Sequence, residues 1–303
     1  MRHVGPATSS SSRRETGRLR VTHPDRVIDA STGLTKLELV RYYASVAERI
    51  LPHLKGRAVA EVRGPQGIGH PLFFQRKDPA GEAEDTPLQV RTAEQLLAAA
   101  QLNVIEFHTG NCQLRTPDKP DRIVFDLDPG EKVAWARMQE GATLVRGLLQ
   151  ELKLEAWLKT SGGKGLHVVV PIAARWPAET VRAFSKAVVE HLARTLPDRF
   201  VAKSGPANRV GRIFVDYLRN NTIATTVAAF SARARPGLGV SMPVTWEHLP
   251  QLESGAQWTV RTATEHLLSE KADPWASYFQ TKQSIAAGMK SLGVKLAQAG
   301  QAD

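Results

Sequence analysis

Arg122-Ile-Val-Phe-Asp126-Leu-Asp128-Pro129-Gly130 is the stretch from which the fold is read. Its apolar residues predict a strand over 122–127, and residues two apart in a strand share a face. Phe125 and Leu127 therefore point to the core while Asp126 and Asp128 project together on the other side. Two neighbouring carboxylates repel each other unless a cation lies between them, and hard divalent metals with oxygen ligands meet that need. Pro129-Gly130 ends the strand at once and leaves the pair at a rim that substrates can reach. The plainer alternative is that the two acids only solvate a strand end.

Downstream, Ile213-Phe-Val-Asp216-Tyr-Leu218 repeats the pattern with one acid in an apolar strand. An unpaired charge in such a strand is expensive. Asp216 thus becomes either a third ligand of a two-metal site or the partner of a nearby cation such as Arg219. Between these strands lies Thr160-Ser161-Gly162-Gly163-Lys164-Gly165-Leu166-His167, followed by Val168-Val169-Val170. Its glycines let backbone amides come close to an anion, and Ser161, Lys164 and His167 add donors and charge. It is not a Walker A loop, because GxxxxGK[ST] is absent and a strand follows instead of a helix. A simple hairpin connection is the competing reading.

The remaining chain alternates strands with helices, which is α/β or α+β organisation. Thr35-Lys36-Leu37-Glu38 is a capping box that opens a helix. Strands are expected at 57–63 and 72–76, flanking the turn Gly64-Pro65-Gln66-Gly67, then a helix at 93–101 and a strand at 104–108. Beyond the acid pair, helices are expected at 133–152 and 178–196, and strands at 166–172, 212–218 and 222–229. Helical segments over 263–270 and 274–292 close the fold. Residues 1–17, with four consecutive serines at Ser9–Ser12, are expected to be a disordered leader or linker. The folded domain is assigned to 18–296, and 297–303 to a flexible tail.

Composition narrows the partners. Forty Lys and Arg against thirty Asp and Glu give a formal charge of +10, which favours a polyanionic partner over a neutral one. The single Cys112 excludes an internal disulfide and a cysteine-only metal cluster, in keeping with a cytoplasmic setting. No apolar run approaches the ~20 residues of a membrane helix.

Asp-Leu-Asp-Pro at 126–129, Ser-Gly-Gly-Lys-Gly-Leu-His at 161–167 and Val-Asp-Tyr at 215–217 resemble, in order and spacing, the three signature motifs of archaeo-eukaryotic primases. The Ser-Gly-x-Lys-Gly-x-His variant is most similar to the polymerase domain of bacterial ligase D, over roughly 21–275. The resemblance implies a primase-like α/β (α+β) fold whose cleft lies between two sheet-bearing modules, one of them RRM-like. It implies that Asp126, Asp128 and Asp216 bind two divalent ions, manganese preferred or magnesium. Ser161, Lys164, His167, Arg219, Arg233 and Arg235 would hold the triphosphate of an incoming NTP or dNTP. Phe74, next to Phe73, would stack on the base, with one of the two in the core and the other forming the platform. His108 would lie near the ribose, although alone it reads as a hydrogen-bonded core histidine.

Arg26 and Lys36 match the basic pair that grips a downstream 5′-phosphate, and Lys36 falls in the first turn of the capped helix, where free amides favour an anion. The function implied is nucleotide addition, with ribonucleotides preferred, at the 3′ ends of DNA breaks and gaps in non-homologous end joining. Partners implied are double-stranded DNA ends, gapped DNA with a 5′-phosphate, the Ku end-binding protein and a ligase domain. Lys-x-Asp-Gly, the ligase nucleophile motif, is absent from these 303 residues. A stand-alone primase or gap-filling repair polymerase is the alternative within the superfamily, and a non-catalytic DNA-end-binding module is the alternative outside catalysis. A haloacid-dehalogenase-type phosphatase also carries Asp-x-Asp after a strand, but the glycine-rich motif is foreign to it.

Overall fold

The computed structural model describes residues 20–295 apart from 82, 84 and 271. The expected leader at 1–17 and tail at 297–303 lie outside the described residues. In chain order, β1 (Val27–Asp29) and β2 (Leu34–Thr35) form a hairpin that feeds α1 (Lys36–Leu54). Then come β3 (Val59–Arg63), β4 (Phe73–Gln75), α2 (Ala93–Gln101) and β5 (Val104–Thr109). The second part contains β6 (Arg122–Pro129), α3 (Trp135–Glu151), β7 (Trp157–Thr160), β8 (Leu166–Pro171), α4 (Ala178–Thr195), β9 (Phe200–Val201) and β10 (Ile213–Asp216). The chain continues through β11 (Thr226–Val227), β12 (Pro243–Val244), α5 (Ala263–Ser269) and α6 (Ala286–Ser291).

Two larger sheets result. One has six strands in the order β12-β7-β8-β6-β10-β9, antiparallel except for β10 with β9. The other has four antiparallel strands in the order β11-β5-β3-β4. This is the mixed α/β architecture expected. Ile123, Phe125 and Leu127 of β6 are fully buried within one continuous apolar cluster that also takes in residues of α1, α3 and α4. The opposite face of β6 is divided along its length. Val124, with Trp157 and Val169 beside it, lies under Trp275 and Tyr278, whereas Asp126 and Asp128 occupy the far end.

Three local expectations are corrected. The strand expected at 222–229 pairs only at Thr226–Val227, because the Asn221 side chain accepts from the amides of Ile223 and Ala224 and curls the chain before it. The helix expected over 274–292 is confined to Ala286–Ser291. Trp275 is drawn onto the sheet, where its indole donates to Leu158 O at 2.9 Å, and this tertiary anchor overrides local helical periodicity. Finally, β7 was not anticipated. Trp-Leu-Lys-Thr is buried on both faces and carries a lysine, so it shows no alternation of apolar and polar residues.

Candidate active site

Strand register assembles the site. Asp126 of β6 lies opposite His167 of β8 on one side and Asp216 of β10 on the other, and His167 lies opposite Lys159 of β7. Four strands thus present Lys159, His167, Asp126 and Asp216 as one row on a single face. Asp128, two residues along β6, shares that face. The two aspartates of the first motif and the lone aspartate of the third therefore meet, as expected.

The acids are held by cations of the protein itself. Arg219 Nε lies 3.0 Å from Asp216 Oδ2 and 3.8 Å from Asp126 Oδ2, while Arg209 Nη1 lies 3.3 Å from Asp128 Oδ2. Both readings of Asp216, as partner of Arg219 and as neighbour of the acid pair, coexist in this geometry. Burial pushes the Asp126 carboxyl up, but His167, Arg219 and Lys159 more than offset it and hold it below the usual range. Asp128 moves the other way, because burial and the charges of Asp126 and Asp216 outweigh Arg209. Burial likewise raises Asp216, against Arg219. Burial thus prevails at Asp128 and Asp216 despite their arginine partners, and only at Asp126 do the neighbouring cations outweigh it.

His167 is buried, with Nε2 3.2 Å from Asp126 Oδ1 and Nδ1 buried without a partner among the described residues. Burial, reinforced by Lys159, lowers it to about 4, so it is neutral at physiological pH and acts as a hydrogen-bonding ring instead of a cation. Lys159 was missed by sequence reading. It is buried, donates to Ser241 Oγ at 2.6 Å, and is pushed well below the ordinary lysine range by burial, with Asp126 opposing. The only signal in the sequence was a basic residue within a short apolar run. Arg209 was missed as well, since it lies seven residues before Asp216 in a turn-rich segment with no motif.

The glycine-rich segment is the turn between β7 and β8. Ser161 Oγ accepts from the amides of Gly163 (3.1 Å) and Gly165 (3.0 Å), so the hydroxyl fixes the turn from inside. Gly162 adopts φ +69°, and a Cβ there would stand 2.7 Å from Arg233 Cγ and 2.9 Å from Gly239 O. Lys164 is exposed at the tip. Arg233 spans the two larger sheets, with Nη1 donating to Ser161 O at 3.1 Å and Nε 3.0 Å from Glu106 Oε2. Arg233 and Arg235 stand in a turn, and both face the same cleft. That cleft, of about 1030 Å³, is lined by Asp126, Asp128, Ser161, Lys164, His167, Arg219, Arg233 and Arg235, with Arg209 at its other side.

Two expected residues lie on the four-stranded sheet outside that lining. His108 is in hydrogen-bond contact with Glu106 Oε2 at 2.5 Å, and burial lowers its pKa while Glu106 opposes. Phe74 pairs with Val62, which pairs with Glu106, so Phe74 shares a face with Glu106 and His108 while Phe73 takes the other. Phe73 is 59% and Phe74 70% exposed. The expectation that one of the two is core is therefore corrected: β4 is an edge strand, and neither face is covered at that point.

Arg26 immediately precedes β1 and Lys36 is the first residue of α1, both outside the cleft lining. Arg26 is exposed and donates to Pro65 O at 3.2 Å, while Lys36 is buried, donating to Thr22 O at 2.8 Å. Burial and the charge of Arg26 lower Lys36. The free amides expected at the start of α1 are not free. Lys36 N donates to Arg26 O, Leu37 N to Pro24 O, and Glu38 N to Thr35 Oγ1, because the hairpin folds back over the helix end.

Comparison with known proteins gives the family. The family model for the LigD primase-polymerase domain matches residues 35–275. The chain is 47% identical to the multifunctional non-homologous end joining protein LigD of Pseudomonas aeruginosa, over 96% of this chain and 36% of that protein. It is 34% identical to the LigD of Mycolicibacterium smegmatis over 78% of this chain and 33% of that one. It therefore spans about a third of the length of these curated relatives. Among solved structures, the polymerase domain of Mycobacterium tuberculosis ligase D in complex with DNA matches with a TM-score of 0.79 and 28% identity, covering 88% of this chain and 99% of that one. With its acid row, glycine-rich turn and third-motif aspartate all placed on one sheet face, the chain belongs to the LigD primase-polymerase domain family.

Proposed function

We propose that this domain adds nucleotides to 3′ ends at DNA breaks and gaps, as a nucleotidyltransferase acting in non-homologous end joining. The observation that carries the reading is the single cleft in which Asp126 and Asp128, beside Asp216, meet Lys164, Arg219, Arg233 and Arg235. Acids for metal and cations for polyphosphate lie within one opening, the arrangement phosphoryl transfer requires.

The donor chemistry suits a hard divalent metal, although among the described residues the acids are paired with Arg209 and Arg219 and are not gathered into a ready three-ligand cluster. Asp126, Asp128 and Asp216 offer only oxygen from one sheet face, the ligand type that hard divalent cations take. Two divalent ions, manganese or magnesium, would activate the 3′-hydroxyl and neutralise the departing pyrophosphate. Lys164, Arg233 and Arg235 neutralise the triphosphate, while His167, neutral, donates from Nε2 to Asp126 and lines the cleft beside it. Ser161 acts through the turn it closes. Phe74 supplies an aromatic face for the base and His108, braced by Glu106, faces the ribose.

Arg26 and Lys36 form the site for a downstream 5′-phosphate. Ku and a ligase domain are the partners that complete end joining. The test is extension of gapped DNA carrying a 5′-phosphate, with rNTPs and dNTPs compared in manganese and in magnesium. Extension with ribonucleotides preferred is expected; no extension with any metal would leave only a DNA-end-binding module.

A further inference from the structure

We propose that Asp29 is a positioning residue for the incoming nucleotide, because it holds the turn that aims Arg235 into the cleft. The inference rests on the nucleotide reading above. Asp29 ends β1 and is fully buried. Its Oδ1 accepts from Ser31 N (3.0 Å) and Ser31 Oγ (2.7 Å), and its Oδ2 from Thr32 Oγ1 (2.8 Å) and Gly237 N (2.8 Å). Arg261 is near enough for its charge to be felt but pairs with Glu38 at 2.7 Å. Four donors, none of them a cation, thus keep a buried carboxylate in place.

Three of the four belong to the hairpin loop itself. The fourth, Gly237 N, comes from the far segment that carries Arg233 and Arg235. This segment closes on itself through Arg233 N to Gly239 O, Arg235 N to Arg233 O and Leu238 N to Arg235 O, each 2.8 Å. It turns through positive φ at Gly237 (+88°), which glycine adopts freely, and at Leu238 (+45°), which persists only when the surroundings impose it. Two carboxylates from opposite sides grip it: Glu106 accepts from Ala234 N at 2.7 Å, and Asp29 accepts from Gly237 N. Arg233 has its own ion pair with Glu106, 3.0 Å, whereas Arg235 pairs with no carboxylate among the described residues. The backbone of the turn therefore decides where the Arg235 guanidinium stands, and Asp29 holds the side of that turn beyond Arg235.

Asparagine is the informative replacement. Ser31 N and Gly237 N are obligate donors on different oxygens, and a hydroxyl can reverse its role where a backbone amide cannot. An asparagine side chain has one acceptor oxygen, so in Asp29→Asn it can serve only one of the two amides. The experiment measures nucleotide KM and kcat on gapped DNA for the wild type, Asp29→Asn, Arg235→Ala and the double variant, with thermal melting alongside. Asp29→Asn is expected to raise KM on the order of tenfold with kcat nearly unchanged. The double variant is expected to match Arg235→Ala alone, since a positioning residue has nothing left to position. Thr32→Val, which removes a hydroxyl from the same oxygen without touching Gly237, is expected to leave KM unchanged.

Should Asp29→Asn fail to fold, Gly237→Ala disturbs the same tie from the other side. Its Cβ meets nothing within 4 Å, so the strained φ alone shifts the turn, and KM must rise likewise. If Arg235→Ala leaves KM unchanged, the nucleotide reading itself is wrong. If Arg235→Ala raises KM while neither Asp29→Asn nor Gly237→Ala does, or if the two effects multiply in the double variant, Asp29 is structural only.

Discussion

Glu61 lies buried on β3, where burial raises its carboxyl to about 7, with Arg63 opposing and Asp78 reinforcing. A folded value above the unfolded one means that the neutral form is favoured in the fold. The associated stability is complete below the unfolded value and is lost as pH rises through about 7. Glu61→Gln should therefore raise the melting temperature at pH 8 and leave it nearly unchanged at pH 4, with a gain of up to roughly 2–3 kcal/mol at the alkaline end. Equal gains at both pH values would remove the titration from the account. Within the cleft, His167→Ala and Arg219→Ala should weaken nucleotide use in a way that high nucleotide concentration partly restores, because both side chains supply binding. A fall in kcat that no nucleotide concentration relieves would give them another role. At this scale the sequence disclosed the motif residues, since carboxylate spacing and Ser-Gly-Gly-Lys-Gly-Leu-His are chemical signatures. Lys159 and Arg209 escaped because a lone basic residue has no signature until register or a turn sets it beside an acid.

The β1–β2 hairpin and the start of α1 act as one element. The Thr35 capping box forms as its Thr-x-x-Glu spacing implies, and Glu38 of that box also binds Arg261 at 2.7 Å. Thr35→Ala should cost about 1 kcal/mol and lower the melting temperature by roughly 2–4 °C. An unchanged melting curve would show the helix end to be held by Arg261 and the hairpin alone. The same element carries Arg26 and Lys36, and their joint replacement by alanine should erase the advantage of 5′-phosphorylated over 5′-hydroxyl gapped DNA at fixed salt. Extension of a primer-template without a downstream strand should change little. Equal loss of both activities would reassign the pair to general DNA or folding contacts. Elements with their own periodicity or caps, such as α1, α2 and β6, were legible to within a few residues. The strand at Trp157–Thr160 and the turns after Trp275 were not, because long-range contacts alone determine them.

Across the whole molecule, Arg233 and its partners join the two larger sheets beside the cleft. The six-stranded sheet carries the acid row, the four-stranded sheet carries Phe74 and His108, and Arg233 ties them together through Glu106 and Ser161. The excess of positive charge suits a nucleic-acid partner, and among the described residues no helix is long and apolar enough to cross a membrane. Fold class and family were legible because three motifs lie in order along the chain; how the two sheets meet was not, since Arg233 and Glu106 are 127 residues apart and no local pattern links them. The central claim is that Asp126, Asp128 and Asp216 together make nucleotide addition possible. It is tested most directly by extension of gapped, 5′-phosphorylated DNA in manganese with Asp126→Asn, a variant that keeps the side chain's shape and removes its charge. The account predicts loss of extension by at least about a hundredfold, with DNA binding kept and the folded state intact. A folded Asp126→Asn protein extending DNA at close to the wild-type rate would contradict it.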